Sequence, residues 1–135
     1  MASSELICKE KEGEISFGNY KLTEKTKVED FPIDGDLYKV KTYSKITKLE
    51  KNGLFLYESV PGTNVSNFIE LPEGVEFSVV GDSEIQITVG LMEETLYEVY
   101  VNEKDAGNMS TNLGGKLSLS VDLTDGKVAH VKIKK

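Results

Sequence analysis

The sequence predicts an all-β, single-domain β-sandwich, immunoglobulin-like or jelly-roll-like, with eight to ten short antiparallel strands. Three observations carry that reading. Apolar residues recur at every second position in short runs, as in Val75, Phe77 and Val79 or in Leu117, Leu119, Val121 and Leu123. Turn residues bound these runs roughly every 8–12 positions, the spacing of sandwiches and Greek-key barrels. No segment sustains the period of about 3.6 residues that an amphipathic helix requires. At 135 residues, size scaling buries about two thirds of the unfolded surface, enough for one core. No linker, repeat or low-complexity tract divides residues 1–135 into two domains.

Residues 1–12 read as a flexible N-terminal segment in which Leu6, Ile7 and Cys8 are a small apolar patch among charges. Lys21 to Phe31 is the one stretch with room for a helical turn or two, though without a sustained helical period. Tyr38 and Tyr43 then flank Val40. Asn52-Gly53 lies between Ile46–Leu49 and Leu54–Tyr57, and Asn-Gly signals a two-residue hairpin because both central residues of a type I′ turn need positive φ. Pairing Lys51 with Leu54 sets Leu49 opposite Leu56 and Lys48 opposite Tyr57, so Leu54 and Leu56 share one face and Phe55 and Tyr57 the other. Both faces of that strand are apolar. It is either central in a covered sheet or committed to a partner chain.

Pro61-Gly62-Thr63 and Pro72-Glu73-Gly74 mark further turns. The Val75–Val79 run, the turn Gly81-Asp82-Ser83 and the run Ile85, Ile87, Val89, Leu91 read as a hairpin with one apolar face. Tyr97, Val99 and Val101 form another stripe, which turns Leu96 and Tyr100 outward. Asn112-Leu113-Gly114-Gly115 is a tight bend before a strand rather than a phosphate loop before a helix. Leu117 to Leu123 is the cleanest amphipathic strand, one face on the core and one in water. Thr124-Asp125-Gly126 returns the chain into a last strand, Val128 to Ile133, whose terminal lysines would blunt an open edge.

Composition removes several function classes. All 16 basic residues are lysine, and Trp is absent. A site built on bidentate arginine is therefore excluded, since lysine lacks the planar fork of donors. A net charge of -7, with lysines interleaved among acids, argues against nucleic acid. No apolar run approaches the roughly 20 residues of a membrane helix, and no secretory leader is evident. A single cysteine, Cys8, agrees with a reducing compartment, so the expectation is a cytoplasmic chain with no membrane contact.

The chemistry on offer is thin. His130 alternates on the more polar side of the last strand with no nucleophile motif to serve. Cys8 lacks the electropositive pocket of a reactive thiolate. Asp34, Asp36, Asp122 and Asp125 sit in or beside turns, where carboxylates can bind Ca²⁺, yet turns select Asp for their own backbone reasons. No cofactor is called for, and only carboxylate chemistry would be open to an enzyme. Phe55, Tyr57, Leu96 and Tyr100 remain as candidates for a partner or glycan surface.

Gly35–Thr42, the Ile46–Pro61 hairpin and Met109–Ser118 resemble segments of short single-domain proteins of anaerobic Firmicutes that often carry the label endosialidase. The resemblance covers most of the chain but rests on no catalytic motif, so it implies no catalytic residue here. Tyr97–Asn102 followed by Gly115–Val121 is similar in cadence to the last strands of immunoglobulin-like sandwiches attached to carbohydrate-active enzymes, which bears on fold more than on ligand. The sequence thus points to a non-catalytic structural or adaptor module that self-associates, as a homo-oligomer, or binds a protein partner through a sheet face. The alternative is a carbohydrate-binding sandwich, with or without Ca²⁺.

Overall fold

The computed structural model describes residues 6–135. In chain order its strands are β1 (Ile7–Lys11), β2 (Glu14–Phe17), β3 (Thr26–Ile33), β4 (Asp36–Tyr43), β5 (Ile46–Lys51), β6 (Leu54–Val60) and β7 (Asn64–Leu71). They continue with β8 (Gly74–Val80), β9 (Glu84–Gly90), β10 (Leu96–Val101), β11 (Lys104–Ser110), β12 (Lys116–Asp122) and β13 (Val128–Lys134). One sheet runs β1-β2-β7-β8-β13-β10-β11 and the other β12-β9-β6-β5-β4-β3, with every pairing antiparallel. The two pack as a β-sandwich. Thirteen strands replace the eight to ten expected, because edge strands such as β1, β3 and β11 bury little and so carry no clean alternation.

The core lies between the sheets. Phe17, Phe68 and Phe77 of the seven-stranded sheet meet Tyr57 of the other edge-on, with ring centroids 5.3, 6.3 and 5.6 Å away. Such aromatic pairs are each worth about 0.5–1.5 kcal/mol beyond the area they bury. The alternating rows read from the sequence point inward as expected: Val75, Phe77 and Val79; Ile85, Ile87 and Val89; Tyr97 and Val99; Leu117, Leu119 and Val121 are all buried.

What those rows pair with differs from expectation. β8 and β9 belong to different sheets, so Gly81-Asp82-Ser83 carries the chain across the core instead of closing a hairpin. Two alternating strands joined by a short turn can pair edge to edge or face each other across a core, and period two is the same in both. β12 and β13 are likewise split between sheets, with the 3-10 turn Thr124–Gly126 at the crossing. β13 is therefore interior, between β8 and β10, and its lysines line an outer face rather than an edge. Lys21 to Phe31 forms no helical turn; from Thr26 it is β3. The segment read as flexible supplies β1, whose Ile7 is buried and pairs with Phe17; residues 1–5 lie outside the described residues. Among the described residues no helix is long and apolar enough to cross a membrane.

The Asn52-Gly53 hairpin forms, and Lys51 pairs with Leu54 as expected. A bulge then intervenes: Glu50 pairs with Phe55 and Leu49 with Tyr57, leaving Leu56 as the extra residue. An extra residue reverses the side-chain phase beyond it. Leu56 and Tyr57 are consequently both buried, while Leu54 stands out in solvent.

Candidate functional site

The four residues put forward as candidates for a partner or glycan surface do not lie together. Tyr57 is fully buried, and its hydroxyl bonds to the Thr63 hydroxyl at 2.8 Å. Burial pushes its pKa up to about 12. It is a core residue and offers no surface. Phe55 lies half-buried on the outer face of the six-stranded sheet, with the Lys116 ammonium 4.6 Å from its ring centroid. Leu96 and Tyr100 do face outward as expected, but on the opposite face of the sandwich, on β10.

Around Tyr100 the outer face of the seven-stranded sheet carries a polar groove of about 360 Å³, lined also by Glu76, Glu103, His130, Lys132 and Lys134. Strand register explains it: Glu76 pairs with Lys132, Lys132 with Tyr100, and Tyr100 with Asp105, giving a row across four strands. His130 Nε2 meets Glu76 Oε2 at 2.5 Å, and its Nδ1 lies 3.2 Å from the Ser78 hydroxyl. The Tyr100 hydroxyl donates to Glu98, which raises its pKa.

The acidic turns are occupied by their own chain. Asp34 accepts from Lys9 at 3.0 Å. Asp36 accepts from the Asn52 amide and lies 3.8 Å from the Lys51 ammonium. Asp122 accepts from both the backbone N–H and the hydroxyl of Thr124, which lowers its pKa, and Asp125 occupies the turn at φ 65. Among the described residues no three His, Cys, Asp or Glu side chains converge on a metal position. Cys8 is exposed, and partial burial and the neighbouring Glu10 raise its pKa, the opposite of thiolate activation.

The strand edges are the more informative feature. An exposed edge is a template for another strand, and proteins guard it with bulges, charges or proline. β1 has a bulge between Lys9 and Lys11 and carries Lys9, Glu10 and Lys11. β3 has a bulge between Val28 and Phe31, Asp30 at φ 56, and Pro32. β11 pairs with β10 through a register shift after Val99 and carries Lys104 and Asp105. β12 has neither a bulge nor a proline, and its charges, Lys116 and Asp122, stand only at its two ends. All seven of its residues pair with β9 in unbroken register, from Lys116↔Gly90 to Asp122↔Glu84, and between the terminal charges its outward side chains are Ser118 and Ser120. Along its other edge β12 has no strand partner among the described residues.

Sequence reasoning singled out this strand but placed the open edge at the last one. The available signal was negative: from Lys116 to Asp122 there is no Gly, Pro or Asn and no interior charge. Compared with protein-family models, curated proteins and solved structures, the chain matches none.

Proposed function

We propose that the chain is a non-catalytic structural or adaptor module that associates with protein, its own copies first, by adding a strand at the β12 edge. The observation that supports this reading is the contrast among four edges: three are interrupted by bulges, and β12 keeps unbroken register with no bulge, proline or interior charge. Strand addition draws affinity from main-chain hydrogen bonds and so needs no deep pocket. The sheet-face version of the reading loses one of its four residues, because Tyr57 belongs to the core. Light scattering across a wide concentration range tests the proposal: a defined oligomer is expected, and a monomer throughout overturns it.

A second reading, glycan binding, is favoured by the groove at Tyr100, where an aromatic ring sits among Glu76, His130 and Lys132. Rings stack on sugars while acids and bases accept and donate to hydroxyls. Titration with a panel of glycans, with and without Ca²⁺, is the test. Binding that Tyr100→Ala abolishes supports it, and no binding to any of them removes it.

A further inference from the structure

We infer that the occupant of the free edge is a second copy of β12 running antiparallel, related by a two-fold axis at Leu119, so that two six-stranded sheets join into one. The inference rests on the strand-addition reading and names its partner and register.

The strand is self-complementary in one arrangement. Antiparallel pairing centred on Leu119 sets Lys116 opposite Asp122 of the second copy, Leu117 opposite Val121, Ser118 opposite Ser120 and Leu119 opposite itself. All seven residues are matched. The buried row, Leu117, Leu119 and Val121, continues as a buried row, and the exposed row continues as an exposed one, because the pairing joins residues of the same parity. The opposite charges at the two ends of β12 meet twice, once at each end of the interface. Parallel pairing in register would instead set Lys116 against Lys116 and Asp122 against Asp122, and like charges directly opposite are destabilising.

The surroundings agree. Lys116 is held on the exposed face beside the Phe55 ring, and Thr88 and Ser118 hydroxyls bond at 2.9 Å across the β9–β12 pair, so the exposed row is ordered before a partner arrives. The far edge of the same sheet, β3, is bulged and contains Pro32, which stops growth in that direction. A self-complementary patch closes at two copies. The expected assembly is a dimer, not a filament.

The experiment uses the full chain and reads solution mass against concentration, with circular dichroism and thermal melting to confirm folding of each variant. Ser118→Lys with Ser120→Lys puts lysine opposite lysine at two positions and should leave a folded monomer. Lys116→Asp alone converts both end pairs to like charge and should weaken the dimer about tenfold. Adding Asp122→Lys to it restores opposite charges and should recover the wild-type dissociation constant. If the serine variant dissociates but the charge variants change nothing, the two-fold register is wrong while the edge reading stands. If the serine variant stays dimeric, the edge reading falls and the register with it. A wild-type chain that is monomeric throughout overturns both.

Discussion

The two ends of the sandwich close in different ways. At the end formed by the turns after β4, β6 and β8, a hydroxyl network is buried. Thr42 and Thr47 share a hydrogen bond at 2.8 Å, the Thr47 hydroxyl donates to the Thr63 carbonyl and accepts from the Thr63 N–H, and the Thr63 hydroxyl meets both Tyr57 and Ser59 at 2.8 Å. Gly62 sits where any side chain would collide with the Tyr43 carbonyl. At the other end, among the turns after β5, β7 and β9, the sheets part into a cleft of about 450 Å³ lined by Leu54, Leu56, Phe68, Leu71, Pro72 and Met92 among others. Leu54 is 70% exposed there and Met92 57%. The Thr111 hydroxyl pins the loop before β10 by donating to the Met92 carbonyl at 2.5 Å.

The difference teaches where stability is concentrated. Buried hydroxyls cost free energy unless every one is paired, and among the described residues no buried side-chain polar atom lacks a partner. One end is thus over-determined and intolerant, the other loosely filled and tolerant.

Four measurements would break or sharpen that contrast. Tyr57→Ala removes the ring that bridges the sheets and the hydroxyl that joins the network; a loss of about 3–5 kcal/mol in denaturant unfolding is expected, and a loss below about 1 would refute the assignment of Tyr57 to the core. Alkaline titration probes the same residue. The folded phenol holds its proton to about 12, against about 10 unfolded. As pH rises past 10 the unfolded state ionises first, so this stabilisation is complete below 10 and disappears between 10 and 12, about 3 kcal/mol in all. Tyr57→Phe should flatten that part of the pH profile, and an unchanged slope would contradict the burial argument.

Thr63→Val keeps the shape but leaves Tyr57 and Ser59 without their shared partner, which should cost about 1–3 kcal/mol as a fall in melting temperature. At the open end, Leu54→Ser should change stability by no more than about 0.5 kcal/mol. A loss as large as that of Thr63→Val would mean that the cleft is part of the core.

Much of the inner surface was legible in the residues. Val75 to Val79, Ile85 to Val89 and Leu117 to Val121 alternate strictly, and each row is buried where alternation puts it. The Gly115 turn, at φ 77, also follows from local chemistry, since glycine adopts that conformation without a steric penalty. The candidate site was half legible. β12 stood out as a strand, but its position at an edge did not, because the last strand and the residue after it carry Lys132, Lys134 and Lys135, of the kind that marks edges in other sheets. Phe55 and Tyr57 were assigned to one face by a correct turn and an unseen bulge.

The all-β class, the inward rows and the turn positions follow from the sequence by itself, because they depend on backbone geometry within a few residues. Which sheet each strand joins, the extra residue at Leu56, the burial of Tyr57 and the place of β12 at the end of its sheet were decided by the tertiary structure. The physical reason is that a period of two is indifferent to the partner. It states which face is apolar, and only long-range packing selects the strand or the core that covers it.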